Sequence, residues 1–309
     1  MMKYAINLLF ILIMSVVCFG QAGSAKKEDA ETHARLAEFY KKACGGGYSA
    51  EVNFSQTGRP TYKTENAKAL IEQMVKAHGG MQKWNSSPTL GFTHILVFGE
   101  PLATEFWVSR ETTEIKTERT YQDWPAFDGT LASDGTKTWT QNWKLDNPPS
   151  VNVNAIYHIL AMPWLTQKRE AILEELPKAK LGNEAILYDI VKMTFKKESK
   201  TSPHQYYTLY IHPGTHLLKG IAYNITNGAF LDLIGLPKTE KSLGPFTHII
   251  YTYTTVDGLT FPEKYDTFDP TNHNAGRHIA YDFLLNAKFD EIRMKIGKDA
   301  LVDASKSER

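Results

Sequence analysis

The sequence predicts an α+β fold dominated by an antiparallel meander of strands. Three observations lead there: one amphipathic helix at 65–78, about eleven short stretches with apolar residues at every second position, and a helical interruption at 154–176 that divides them. A sheet of so many strands curls or closes, because strands twist.

The helix is written in "ENAKALIEQMVKAHGG" (65–80). Ala67, Leu70, Ile71, Met74 and Val75 recur at the spacing of one helical face, Thr64 can cap its start, and Gly79 suits a left-handed stop. Between 89 and 98 the period changes to two. Leu90, Phe92, His94, Leu96 and Phe98 then point one way, and Gly91, Thr93, Ile95 and Val97 the other. Apolar residues on both faces imply a strand covered on both sides. Further strands are expected at 103–109, 112–121, 130–134 and 136–143, with a hairpin signal at Asp134-Gly135.

Residues 154–176 ("NAIYHILAMPWLTQKREAILEEL") read as helical. Ile156, Ile159 and Leu160 share a face, Pro163 kinks or splits the element, and Ala171, Ile172 and Leu176 resume an apolar side. Strands are then expected at 186–196, 204–212, 216–226, 246–255, 260–267 and 278–286, punctuated by Pro213-Gly214, Asp257-Gly258 and Asn274–Gly276. Alternation groups Tyr207, Leu209 and Ile211 on one side of their strand, and Ile249, Tyr251 and Tyr253 on one side of theirs. The stretch 230–245 reads as a long connection.

Ahead of this region, Lys3, the apolar run Ala5 to Val17 and the small residues from Gly20 have the layout of a cleaved secretory signal, residues 1–20. Residues 21–62 then form a leader with one helix near 26–43, and 63–309 form the main domain. Export implies the periplasm. The alternative, an outer-membrane lipoprotein, would need Cys18 acylated, and Val17 beside it is bulkier than that chemistry prefers. Losing residues 1–20 removes Cys18 and leaves Cys44 alone, so stability must come from packing rather than a disulfide. It also removes Lys3, leaving basic and acidic residues in balance. No basic stripe for nucleic acid and no further stretch suited to a transmembrane helix remain.

Chemistry-bearing motifs are weak. There is no G-x-S-x-G elbow, H-E-x-x-H pair, P-loop or Gly-rich dinucleotide fingerprint, so the sequence predicts neither an enzyme nor a bound cofactor. His212 and His216 are four apart, but Pro213-Gly214 between them makes a turn rather than a helix, and His212 there suits turn closure better than metal ligation. A metal-dependent hydrolase around His204, His212 and His216 is the remaining enzymatic alternative. Asp189, Asp232, Asp257 and Asp282 occur singly in strands or turns and form no evident pair.

The motifs "KAHGGMQKW" (76–84), "YHILAMPWL" (157–165), "YDIVKMTF" (188–195), "YTLYIHPGTHLLKG" (207–220) and "VDGLTFPEKY" (256–265), in that order, carry a resemblance. The chain resembles the LolA-like periplasmic lipoprotein-carrier superfamily, and most of all a branch found often in Bacteroidetes. The resemblance implies an incomplete, half-open antiparallel β-barrel, with the N-terminal amphipathic helix lying across it and the mid-chain helix as a lid. It further implies a non-enzymatic protein that binds a lipid or a lipoprotein acyl chain in an apolar cavity. Phe92, Leu96, Trp107, Trp139, Leu209 and Tyr251 are the candidate wall, and Ile156, Ile159, Met162 and Trp164 the candidate lid. Burying about fourteen methylenes would contribute about 11 kcal/mol gross, without any catalytic residue. The rival is an envelope interaction module, with a protein partner, whose helices fill the barrel permanently.

Overall fold

The computed structural model describes residues 58–98, 105–145, 149–196, 204–295 and 297–303. The expected signal, the leader helix at 26–43, Cys18 and Cys44 lie outside them.

The first helix, α1 (Glu65–Ala77), forms where its apolar spacing places it. Thr64 accepts a hydrogen bond from the Ala67 N–H as N-cap, and Ala67, Leu70, Ile71, Met74 and Val75 are its buried residues. His78 closes it, and Gly79 follows at φ 103, a backbone that L side chains avoid. A short second helix, α2 (Met81–Ser86), buries Trp84; its six residues are too few to show a period in the sequence.

Fourteen strands make one open sheet in the order β1-β7-β8-β9-β10-β11-β12-β13-β2-β3-β4-β5-β6-β14. The ends β1 (Thr61–Tyr62) and β14 (Leu301–Asp303) do not pair with each other, so the barrel stays half open. Only β1 with β7 (Ala171–Ala179) is parallel among the pairings; every other pair is antiparallel. The expected strand at 89–98 is β2 (Thr89–Phe98), which sits mid-sheet between β13 (Asn274–Leu284) and β3 (Glu105–Glu114). Beyond β3 come β4 (Thr120–Trp124), β5 (Gly129–Ser133) and β6 (Thr138–Gln141). Asp134 Oδ1 holds the β5–β6 turn by accepting from the Thr136 and Lys137 N–H groups, both at 2.8 Å.

Several expectations are corrected. The break between β3 and β4 falls at 115–119, not at 110–111, because Glu118 adopts φ 59 and the Glu114 N–H bonds the Arg119 carbonyl at 2.8 Å. The mid-chain helix, α3 (Ala155–Leu165), runs through Pro163 and ends; Ala171–Leu176 is strand, not renewed helix. Ala171 and Leu173 are its buried residues, a spacing of two rather than of a helical turn. The remaining strands are β8 (Tyr188–Phe195), β9 (Tyr207–Ile211), β10 (Leu218–Ile225), β11 (Leu243–Val256) and β12 (Leu259–Phe268). Between β10 and β11 the expected connection begins with a helix, α4 (Gly228–Leu233), capped by Asn227. Asn274–Gly276, expected as a turn, opens β13; the turn comes earlier, where Asp269 Oδ1 accepts from Thr271 and His273.

One face of the sheet carries the large core, which takes Ile71 and Met74 from α1, Tyr157 to Leu165 from α3 and Phe230 from α4. A smaller cluster of Leu181, Tyr188 and Ile190 caps part of the opposite face. The doubly apolar strands of the sequence are thereby covered on both sides in the β7–β11 region.

Candidate functional site

The helix-covered inner face gathers most of the predicted wall and lid. Phe92, Leu96, Ile159, Met162, Trp164 and Leu209 are buried in the large core, with Trp107 and Ile156 half-buried against it. Trp164 stacks on Trp84 with centroids 4.4 Å apart and an interplanar angle of 4°. Its other side meets Phe261 at 5.2 Å. The lid therefore packs directly onto the sheet.

Two predicted residues do not join that group. Trp139 is buried in β6, apart from the large cluster. Tyr251 stands on the opposite face, 45% exposed, with its hydroxyl donating to Asp266 Oδ2 at 3.2 Å. The β11–β12 register shifts on both sides of Thr252, so Ile250 and Tyr253 face inward while Tyr251 and Thr252 form a bulge outward. Strict alternation of Ile249, Tyr251 and Tyr253 breaks there. Tyr207, Leu209 and Ile211, on an unbulged strand, are all buried inward as expected.

Across the same inner face runs a row of buried polar side chains that the sequence reading missed. It crosses six neighbouring strands: His248 on β11, Thr267 on β12, His278 on β13, His94 on β2, Ser109 and Glu111 on β3, and Gln122 on β4. Thr267 Oγ1 lies 2.8 Å from His248 Nδ1 and 2.8 Å from His278 Nε2. His278 Nδ1 lies 3.0 Å from His94 Nε2. Aromatic rings seal the row, with Tyr265 stacked on His278 at 4.5 Å and Tyr223 on His248 at 5.0 Å. Burial depresses His94 and His248 to about 3, with His94 adding to the effect on His248, and it pushes His278 well below its ordinary value. All three are neutral imidazoles at physiological pH.

Burial acts oppositely on Glu111, raising it to about 7, although hydrogen bonds from Thr113 and Gln122 favour its ionised form. Thr113 donates to Oε1 at 3.0 Å and Gln122 Nε2 to Oε2 at 2.8 Å. His94 and Glu111 line a small pocket together with Ser109, Gln122, Asn152 and Ile156, roofed by the start of α3. Its free volume is about 10 Å³, room for one water molecule and far less than an acyl chain needs. Beside it, Glu118 and His158 are buried 3.6 Å apart, and Asn154 Nδ2 donates to the Glu118 carbonyl at 3.1 Å. Among the described residues no group of three or more His, Cys, Asp or Glu side chains is placed to hold a metal ion.

A signal for the row is present in the sequence. "FTHI" occurs twice, at 92–95 and 246–249, and "RHIA" at 277–280, each placing a histidine at an inward position of an apolar strand. His212, by contrast, closes its turn, with Nδ1 accepting from the Gly214 and Thr215 N–H groups, both at 3.1 Å.

No family model matches the sequence, and no curated protein matches it. Similar solved structures include the LolA superfamily protein NE2245 from Nitrosomonas europaea, with TM-score 0.46 and 11% identity over 74% of this chain and 97% of that one. A DUF1329 family protein from Desulfovibrio piger is similar with TM-score 0.44 and 9% identity, over 74% and 97%. A domain from Vibrio parahaemolyticus that carries the description outer membrane lipoprotein-sorting protein gives 0.43 and 8%, over 74% and 96%.

Proposed function

We propose that this chain is a non-enzymatic, periplasmic protein that binds a hydrophobic ligand, a lipid or a lipoprotein acyl chain, on the inner face of its half-open sheet. Phe92, Leu96 and Leu209 would line that face, with Trp107 at its margin, and α3 would be displaced to admit the ligand. In the closed form α3 itself occupies the space, so the ligand competes with Ile159, Met162 and Trp164 for the same apolar surface.

The observation that carries this reading is how α3 is held. Its residues are apolar on every side, and ten of its eleven are buried. Yet Tyr157 Oη and Trp164 Nε1 are buried without a hydrogen-bond partner, Asn154 caps the helix with no side-chain bond, and Pro163 interrupts its hydrogen bonds. Each unmet buried polar group costs about 1–3 kcal/mol that hydration on opening would return. A helix with a large apolar surface and poor polar anchoring suits a lid that exchanges places with a greasy ligand.

Native mass spectrometry of the protein purified gently from cells, with uptake of a fluorescent fatty acid, tests the proposal. Bound lipid is expected, and Trp164→Ala, by removing the stack on Trp84, should speed uptake. Absence of both lipid and uptake overturns it. The rival, an interaction module with a permanently filled interior, is favoured by the close Trp84–Trp164–Phe261 packing. It predicts uptake that is absent in both the native protein and Trp164→Ala.

A further inference from the structure

We propose that His248, Thr267, His278 and His94 form a relay that carries a proton to Glu111 through one water molecule held in the pocket between His94 and Glu111. The relay is independent of whether a lipid binds the inner face.

The water site rests on the pocket's chemistry. Asn152 is buried, lines the pocket, and its Nδ2 donates to no protein group, although buried donors almost always find an acceptor. The free volume fits one water. A water there accepts from Asn152 and joins the Glu111 carboxyl to His94, whose Nε2 is already taken by His278 and whose Nδ1 ends the row. That makes the usual three bonds for an internal water.

The relay follows from counting protons. Each neutral imidazole has one N–H and one lone pair, and Thr267 has one O–H, so the row has only two self-consistent directions. In the first, His248 Nδ1–H donates to Thr267, Thr267 O–H to His278 Nε2, His278 Nδ1–H to His94 Nε2, and His94 Nδ1–H to the water, which faces an ionised Glu111. In the second every bond is reversed, and the water donates to His94 Nδ1 while Glu111 is protonated.

Passing from the first to the second takes one proton in at His248 Nε2. Within the row, one proton moves from His248 Nδ1 to Thr267, one from Thr267 to His278 Nε2, and one from His278 Nδ1 to His94 Nε2. His94 Nδ1–H passes to the water, and the water passes a proton to Glu111. Each group gains as many protons as it loses except Glu111, which gains one. No charged imidazole persists at either end of the process, consistent with burial that opposes such a charge.

The groups that face Glu111 are Thr113 on its own strand, Gln122 of β4, His94 of β2, Asn152 before α3 and Tyr157 of α3. Tyr265 of β12 and Tyr157 are both close enough to be held protonated in part by its charge, and Tyr157 also by that of Glu118. No Lys or Arg is among the buried residues there to lock Glu111 ionised.

The test is nitrogen-15 NMR of the intact protein labelled in histidine, from about pH 5.5 to 8.5, with the Glu111 carboxyl followed by carbon-13. Expected are an exchange of protonated and unprotonated ring nitrogens in His94, His248 and His278 at one shared midpoint, that of Glu111, with no imidazolium. Glu111→Gln should leave all three tautomers unchanged across the range. Thr267→Val should uncouple His248 alone. If Glu111→Gln does not fold, Asn152→Leu, which fills the water's place, should leave Glu111 titrating while the tautomers no longer follow it. Tautomers constant in the native protein, or three separate midpoints, overturn the proposal.

Discussion

His78 uses both ring nitrogens to fasten the end of α1: Nδ1–H donates to the Thr260 carbonyl at 2.6 Å, and Nε2 accepts from the Leu218 N–H at 3.1 Å. Only a neutral ring can do both, and burial depresses it to about 4. With His94, His248 and His278 it makes four imidazoles that resist protonation in the fold. From the ordinary value of 6.5 down to those depressed values, the unfolded chain binds protons that the folded chain does not. Stability therefore falls as pH drops below 6.5, by up to about 1.4 kcal/mol per pH unit for each histidine. Urea midpoints at pH 7, 6 and 5 should decline, and His94→Gln should decline less steeply; parallel curves would contradict this. Glu111 acts in the reverse direction. Its folded value is raised from 4.5 to about 7, so the stability it contributes at low pH is lost as pH rises through that range. Glu111→Gln should equal the native protein near pH 4 and exceed it by up to about 3 kcal/mol at pH 8, read from urea curves at both. Gly79 shows how tight the same junction is. A Cβ there would lie 2.1 Å from the Gly258 carbonyl oxygen, at a positive φ, so Gly79→Ala should cost about 3 kcal/mol or more in thermal unfolding.

At the scale of the element, α1 and α3 differ in how much the sequence says about them. The cap, the apolar stripe and the stop of α1 all lie within its own residues, and the helix forms where they place it. Thr64→Ala should cost about 1 kcal/mol, measured by urea unfolding, since only the Ala67 N–H loses its partner. In α3 the apolar residues encircle the helix, so no stripe marks its face or its end. What followed it was misread for that reason: "AILEEL" carries enough apolar residues to continue a helix, and only pairing of β7 with β8 and β1 makes it a strand. Local propensity yields to a ladder of hydrogen bonds with distant partners. The bulge at Tyr251 belongs to the same class, because a register shift depends on the neighbouring strand rather than on the strand's own alternation.

For the whole molecule, the open sheet leaves two edges, and the chain guards one with its own C-terminal region. Arg119 lies over Phe289 at 4.8 Å and Arg293 over Tyr121 at 4.9 Å, while Arg119 also bonds Glu114 and Glu291, and Arg293 bonds Asp123. These contacts hold residues 289–293 against β3 and β4, shortly before β14 adds to β6 at the sheet's end. Phe289→Ala should raise amide exchange in β14 and β6 at least tenfold while leaving exchange in β2 and β13 unchanged. Equal protection throughout would show that the segment contributes nothing to the edge. The LolA-like resemblance drawn from the order of motifs is a statement at this scale too, and the half-open sheet with helices over one face matches its architecture.

By itself the sequence determined the features whose causes lie within a few residues. These are the capped helix at Thr64, the two-residue period of β2, the Asp134 turn, the turn role of His212, and an apolar inner face around Phe92, Leu96 and Leu209. Only the tertiary structure decided that α3 fills that face and that His94, His278, Thr267, His248 and Glu111 form one buried row. His94 and His278 touch across 184 positions of chain. Periodicity tells which side of a strand a residue occupies; it carries no information on which strand will lie beside it, and the row exists only through that adjacency.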